Sequence, residues 1–453
     1  LMDHQMNLRV SEEFGLYFAR IPLKTSPHIV HGNALRLDWN EVLPAERCSF
    51  VLGNPPFVGA KFMDDAQRED TRAVFAGIDN AGLLDFVAAW YVKATQYSRL
   101  VPGTGGEPIH PRTAFVSTNS IVQGEQVGVL WSWMLAQGVH IHFAHRTFSW
   151  SNEASGKAAV HCVIVGFGLE NRPGKVIYEY ENIKGNAHAV PASNINPYLV
   201  DAPDVVLPRR SRPICAVPEI GIGNKPIDDG NYLFTTQERD AFITKEPASA
   251  KWFRRWLGAD ELINAYERWC LWLGNCSPTE LRAMPEVMKR VQAVKTFRHA
   301  SKSPPTQKLA ATPTRFHVEH MPTTTYCAVA KVSSEKRAFV PIGFEDPSTL
   351  SSDLLFLIPG ATLLHFGVLC STMHNAWVRA VCGRLESRYR YSKDIVYNNF
   401  PWPDLPPKSE PNKPPAPASQ AQAAIETAAQ AVLDARAQFP TSSLADLYDP
   451  LTM

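Results

Sequence analysis

Over residues 1 to about 190 the hydrophobic pattern admits one broad class of fold. Short apolar runs bounded by turn residues read as buried strands: Ser49-Phe50-Val51-Leu52, Thr113 to Ser117, Ile141 to Ala144 and Val160 to Phe167. Helical spacing separates them. Between Leu83 and Tyr97 the apolar residues fall at 83, 86, 87, 90 and 94, a single stripe of a helix. Gln126 to Gln137 carries a second helical pattern, ended by Gly138. Strands alternating with helices pack as a mostly parallel sheet, so this part is predicted α/β. Ligands of such sheets bind beyond the carboxyl ends of the strands.

From about residue 195 the texture changes. Proline, arginine and tryptophan become frequent, and Trp252, Trp256, Trp269 and Trp272 fall within 21 residues. At 453 residues the chain is too long for one ordinary domain. A second, α+β domain is expected over 195–403, and a tail over 404–453. Residues 401–417 hold eight prolines in 17 positions and read as an extended linker. Gln420 to Gln438 is Ala-rich, without Pro or Gly, and is predicted helical. The chain opens on Leu1 and closes on Asp449-Pro450-Leu451-Thr452-Met453, and both ends read as truncations.

Hydrophobic content of 45% and charge of 20% are those of a soluble protein with a large core. No apolar run approaches the ~18 residues that cross a bilayer, and no signal peptide opens the chain. A cytoplasmic location is expected. The eight cysteines are scattered without CxxC spacing, which predicts reduced thiols and no metal site.

Net charge is only +1, but residues 251–340 hold 15 Lys+Arg against 7 Asp+Glu, a local excess of +8. Such a segment suits a grip on phosphates, and on charge alone a solvated basic face suits it equally. Arg298, Lys302, Lys308 and Arg315 flank loop-like, Pro- and Thr-rich sequence and are the candidate DNA contacts. Most contacts of this kind go to phosphates and set position only. Arg388, Arg390 and Lys393, within Arg388-Tyr389-Arg390-Tyr391-Ser392-Lys393, form a second DNA-facing candidate. Snorkelling structural side chains are the competing reading there.

The segment that carries chemistry is Asn54-Pro55-Pro56-Phe57, directly after the strand Phe50-Val51-Leu52-Gly53. It stands where a site is expected in an α/β sheet. As a bare tetrapeptide it is also ordinary turn punctuation. Its composition suits methylation of an exocyclic base amine. The lone pair of such an amine is delocalised into the ring, so the nitrogen is a poor nucleophile. Two acceptors on its two hydrogens pull it toward tetrahedral geometry. Asn54 supplies a side-chain carbonyl and Pro55 a backbone carbonyl, held by the stiff Pro-Pro unit. Phe57 offers a face for a base turned out of the helix, where stacking is worth ~1–3 kcal/mol. Positioning is the main contribution, and neither metal nor covalent nucleophile is required.

Read together, these residues resemble the methyltransferase and target-recognition parts of the MmeI-like (type IIG/IIL) restriction–modification enzymes. The stretches that carry the resemblance include HGNALRLDW (31–39), FVLGNPPFVGAKFM (50–63), LLDFVAAWYVKA (83–94), AFVSTNSIVQGEQVGVLW (114–131), HFAHRTFSW (142–150), GNKPIDDGNYLF (223–234) and SRYRYSKDIVYNNFPWP (387–403). The resemblance implies a Rossmann-like S-adenosylmethionine (SAM) methyltransferase sheet lacking its N-terminal part. An α+β recognition domain and a C-terminal helix follow it. It implies adenine-N6 methylation of double-stranded DNA, with Asn54, Pro55, Pro56 and Phe57 as the catalytic motif. Asn33 and Ala34 resemble the strand end that meets the adenine of SAM, although Asp is common where this chain has Asn33. Asp85 and Phe86 resemble the helix bordering the cofactor. Phe148 or Trp150 is implied as the second wall around the flipped base, in competition with a plain core role.

SAM binding also needs a Gly-rich turn after a first strand and an acidic residue ending a second. Residues 1–32 contain neither. Gly103-Thr104-Gly105-Gly106 is flanked by Pro102 and Pro108 and reads as a surface loop, so a permuted order is rejected. The main cofactor loop is therefore expected in an upstream part of the same polypeptide, where a nuclease domain is often carried; no PD-(D/E)xK spacing is evident here. Two readings stay open: a DNA adenine methyltransferase, and a DNA-binding specificity module without catalysis. Cytosine-N4 methylation is a lesser variant, more often associated with Ser in place of Asn54.

Overall fold

The structure, a computed structural model, describes residues 27–101, 110–150, 160–385, 387–403 and 417–449, together with Arg9 and residues 11–13. The first part is a six-stranded sheet built from β1 (Phe50–Gly53), β2 (Arg112–Thr118), β3 (His140–Trp150), β4 (Val160–Gly168), β5 (Lys175–Tyr180) and β6 (Ala187–Ala192). Their spatial order is β1-β2-β4-β3-β5-β6. The pairs β1–β2 and β3–β5 are parallel, while β4 lies antiparallel to both β2 and β3, and β6 antiparallel to β5. Four strands thus share one direction and two oppose it. The expected mostly parallel sheet is mixed because residues 151–159 are too few for the dozen-residue crossover that a parallel neighbour needs.

Besides the four-residue helix Trp39–Val42, three longer helices are described in this part: α1 (Asp65–Val74), α2 (Ala88–Ser98) and α3 (Gly124–Ala136). The alternation along β2 places Thr113, Phe115 and Ser117 on the covered face. There Tyr91 of α2 stacks on Phe167 at 5.3 Å and meets Phe115 edge-on. Its hydroxyl is hydrogen-bonded to Ser117 Oγ at 2.6 Å. Trp131 of α3 is fully buried and donates its indole N–H to the Ile121 carbonyl. The opposite face is different. Phe50 and Leu52 on the edge strand β1 are 55% and 73% exposed. They line an apolar groove of about 830 Å³ with Phe143, Val176 and Tyr178. Phe143 lies flat across Gly166, where a Cβ would come within 2.1 Å of the ring.

Beyond residue 220 the chain builds three smaller sheets. The first has order β14-β9-β10-β8, from β8 (Leu233–Thr235), β9 (Phe253–Leu257), β10 (Arg268–Leu271) and β14 (Leu350–Ser351). Helix α4 (Pro285–His299) packs on it through Val287, Val291 and Val294, spaced one turn apart. Trp256 and Trp272 are buried in this core and Trp252 and Trp269 pack against it half-buried, so all four clustered tryptophans serve packing. The second sheet has order β13-β11-β15-β7, from β7 (Gly221–Ile222), β11 (Tyr326–Ala330), β13 (Ile342–Glu345) and β15 (Leu355–Pro359). The third has order β12-β17-β16, from β12 (Val332–Ser333), β16 (Gly383–Leu385) and β17 (Arg388–Arg390). The helices α5 (Leu363–Cys370), α6 (Thr372–Val381) and α7 (Pro417–Ala437) lie in the later part of the chain, among shorter helical segments. The helix expected over 420–438 matches α7 as far as Ala437, and α7 meets Gly367 of α5 through Ile425 and Ala429. The proline-rich residues 404–416 lie outside the described residues.

His374 on α6 is fully buried and bonded to the Tyr391 hydroxyl at 3.0 Å, with the Phe400 ring edge-on at 4.6 Å. Burial drives its pKa down to about 3. The folded state therefore holds a neutral imidazole, while the unfolded chain binds a proton below ~6.5. Its contribution is fully present above pH ~6.5 and is lost as pH falls toward 3, by up to ~1.4 kcal/mol per pH unit. Urea titrations between pH 7 and pH 4 should show a shallower loss of stability for His374→Gln than for the wild type. An unchanged slope would remove His374 from the acid response.

Candidate active site and DNA-facing surface

Asn54 follows β1 directly, at the carboxyl end of the strand. Its side chain is exposed and has no hydrogen-bond partner among the described residues. Pro55 behind it is buried, Pro56 is exposed and Phe57 is half-buried. The loop that bears them is fixed a few residues on. The Ala60 N–H donates to Asp85 Oδ1 at 2.8 Å, and the Phe86 N–H donates to the Val58 carbonyl at 2.9 Å. The other oxygen of Asp85 accepts from Ser120 Oγ at 2.5 Å, in the 3-10 turn Asn119–Val122 that follows β2. The Asp85 N–H in turn donates to Gln126 Oε1 in the first turn of α3. One carboxylate thus ties the motif loop to the ends of two strands' connections. No resident group beyond these donors is needed to explain its position.

This arrangement changes the expectation for two residues. Asp85 has both oxygens engaged by protein donors, so in this structure it is a positioning residue. Phe86 is buried and meets Trp90 edge-on at 5.1 Å, a packing role. Asn33 and Ala34 were expected at a strand end. They lie instead in a turn, where Asn33 Nδ2 donates to Asp70 at 2.7 Å and Asn33 Oδ1 caps the Leu35 N–H. The Ala34 carbonyl accepts the indole N–H of Trp39. Both side groups serve the fold locally because the strand that would precede them is not formed among the described residues.

Phe148 sits near the carboxyl end of β3, half-buried and stacked on Tyr180 at 5.4 Å. The backbone of Trp150 closes β3; its side chain lies outside the described residues. Gly103 to Gly106 also lie outside them. The sequence did not single out Ser120, Gln126 or Phe62. Phe62 is 85% exposed five residues after Phe57. An aromatic so close behind a strand-end motif was the available signal; nothing in the sequence marked Ser120 or Gln126.

The candidate DNA contacts divide by burial. Arg298 is fully buried. Its guanidinium donates to the carbonyls of Pro226, Ile227, Leu309, Thr312 and Arg315 at 2.7–3.0 Å. It cannot reach a phosphate and is withdrawn as a DNA contact: five backbone acceptors converge on it because loops on either side need a donor. Arg315 is engaged by the Gly274 carbonyl and Glu319, and Lys393 by Asp394 at 2.9 Å. Lys302 and Lys308 are exposed after α4. On β17, Arg388 and Arg390 point outward on one face while Tyr389 between them is buried, the period-two pattern of a half-buried strand. Among the described residues no group of three or more His, Cys, Asp or Glu side chains could hold a metal, all eight cysteines are free, and no helix is long and apolar enough to cross a membrane.

A mixed sheet with a strand-end Asn-Pro-Pro-Phe, followed by a basic multi-sheet module and a terminal helix, defines a DNA methyltransferase domain joined to a recognition domain. Comparison with known proteins agrees. Residues 1–179 match the family model of the MmeI DNA-methyltransferase domain, residues 201–404 the MmeI target recognition domain and residues 417–453 the MmeI C-terminal domain. The chain belongs to the MmeI-like family. It is 35% identical over 457 residues to "DNA methyltransferase A" of Bacillus subtilis (strain 168), covering all of this chain and 49% of that protein. It is 52% identical to the type IIL restriction–modification enzyme MmeI solved in complex with DNA, with a TM-score of 0.87, covering all of this chain and 58% of that one. The chain thus spans about half the length of the curated relative it matches.

Two outcomes follow from the geometry. In Asp85→Asn the Ala60 N–H loses a charged acceptor worth ~1.5–3 kcal/mol, so its amide hydrogen should exchange at least roughly 10-fold faster; unchanged protection would show that another contact holds the loop. Arg298→Met should destabilise the fold by on the order of 3 kcal/mol or more, by orphaning buried carbonyls. Below its unfolding temperature it should leave the salt dependence of DNA binding unaltered, and a shallower salt slope would return Arg298 to the DNA surface.

Proposed function

We propose that the polypeptide containing this chain is a site-specific DNA methyltransferase that transfers a methyl group from SAM to N6 of a flipped adenine in double-stranded DNA, within a restriction–modification system acting in the cytoplasm. The observation that carries the reading is Asn54: an exposed amide without a hydrogen-bond partner among the described residues, at the carboxyl end of β1, on a loop held by Asp85. In water such a group is satisfied by solvent. Facing a flipped base it accepts one amine hydrogen while the Pro55 carbonyl accepts the other, and the nitrogen lone pair turns toward the methyl group. Phe57 stacks on the base, with Phe148 or Trp150 as the opposing wall. SAM, when bound, supplies the methyl group, and Asn33, Ala34, Asp85 and Phe86 are the residues of this chain assigned to its border.

The same reading assigns the rest of the cofactor site, with its Gly-rich turn and acidic strand end, to an upstream part of the polypeptide, together with any nuclease domain. Support comes from the sheet face on which Phe50 and Leu52 are exposed among the described residues. α/β sheets bury both faces, and open edge strands are normally paired. Residues 1–190 are taken as the catalytic domain, 195–403 as the recognition domain and 404–453 as linker and helical tail. Lys302, Lys308, Arg388 and Arg390 are the DNA contacts this reading keeps by their exposure, and Arg315 and Lys393 would have to leave Glu319 and Asp394 to join them.

In the full polypeptide, Asn54→Ala should cut methyl transfer by roughly 10²-fold or more and leave the Kd for specific DNA within about 2-fold. Loss of binding in parallel with transfer would make Asn54 a structural or recognition residue. Transfer that survives the substitution would favour the specificity-module reading of this chain.

A further inference from the structure

Where the carboxyl edge of the main sheet meets the segment around β16, a polar cleft of about 230 Å³ opens. Three guanidinium groups line it: Arg146 of β3, Arg379 of α6 and Arg384 of β16, with Gln123 and Thr147 beside them. The one carboxylate of the lining, Glu179, pairs with Arg146 at 2.9 Å. Three cations against one anion leave the cleft at +2. Like charges gathered in so small a space repel, and an anion among them relieves that repulsion.

The cations are positioned before any ligand arrives. The Arg384 guanidinium lies 3.9 Å above the Tyr389 ring and donates to the Ser387 and Arg379 carbonyls. Arg379 donates to the Ala338 carbonyl at 2.8 Å and remains exposed. The two walls touch at their backbones. Gly124 has φ of +61°, and a Cβ on it would stand 3.2 Å from the Gly383 Cα, so this contact tolerates no side chain. The cleft also connects to the motif loop. Gln123 precedes α3, whose Gln126 accepts from the Asp85 N–H, and Asp85 holds Ala60.

We infer that this cleft is a phosphate-binding site that seats one phosphodiester of the DNA backbone beside the flipped base, with Arg146, Arg379 and Arg384 as its cations. The inference rests on the DNA methyltransferase reading above. The cleft has room for a phosphate with part of its sugar. It opens on the edge of the sheet that carries Asn54, next to Phe148, so a strand with its base in the Asn54 site runs past it. Because one wall comes from the catalytic sheet and the other from the recognition part, a phosphate held between them fixes the two relative to the same nucleotide. It carries no sequence information, as expected of a backbone contact.

The test scans the phosphates around the target adenine with single methylphosphonate linkages, which remove one negative charge each. Binding of each duplex to the full polypeptide is measured over a range of salt, for the wild type, Arg384→Gln and Arg146→Gln. One or two neutral linkages next to the target should weaken wild-type binding roughly 10-fold. Each variant should lose that particular penalty, keep the others, and show a salt slope smaller by about 1. Arg384 also braces β17, so Arg146→Gln and Arg379→Gln carry the same test if Arg384→Gln does not fold. Equal penalties in the wild type and the variants overturn the cleft assignment while leaving the methyltransferase reading standing. A wild type that binds no DNA at all sinks that reading and the inference with it.

Discussion

The Asp85 carboxylate is the contact on which the site depends. It accepts from Ala60 behind the Asn-Pro-Pro-Phe motif and from Ser120 behind β2, and its own backbone N–H is received by Gln126. Without it the motif would be an ordinary loop at a sheet edge, free to wander by more than the ångström or so that catalysis by positioning tolerates. With it, Asn54 is held out from the end of β1 with its amide unspent. The stiffness of Pro55-Pro56 fixes the other acceptor. The rest of the first part serves this arrangement. Tyr91, Phe115, Phe167 and Trp131 pack the helices against one face of the sheet, so that the strand ends keep their relative positions.

The strands and helices near the site were readable because their burial is one-sided or complete. The run Val160 to Phe167 became β4, Ser49 to Leu52 overlaps β1, and the pattern Gln126 to Gln137 matches α3 as far as Ala136. The sense of β4 was not readable: apolar content marks a buried strand but not its direction, which here follows from the short connection from β3. The candidate tetrapeptide was legible because it directly follows an apolar strand run, at the strand end where α/β sheets place ligands. Asp85 was legible as a residue of the site, while its bonds to Ala60 and Ser120, distant in sequence, leave no local pattern.

Charge proved a poorer guide than periodicity. Arg298 stood out in a basic, proline-rich segment, yet it is the most buried arginine of that segment and serves five backbone carbonyls. A sequence count does not distinguish a cation that faces water from one that organises loops. The clustered tryptophans likewise serve packing. Arg146 lies more than 200 residues before Arg379 and Arg384 in the chain, and the fold brings it to them where Gly124 meets Gly383. The recognition part thus combines a packed interior with exposed basic residues on β17 and after α4, and joins the catalytic sheet through a polar, cationic seam.

The most direct test of the central claim is the identity of the methylated atom. Duplex DNA is incubated with the full polypeptide and SAM carrying a labelled methyl group, then digested to nucleosides and resolved by mass spectrometry. The account predicts label in N6-methyl-2′-deoxyadenosine and in no other nucleoside. Label in N4-methyl-2′-deoxycytidine, or no label in DNA at all, would contradict the role given to Asn54 and Pro55.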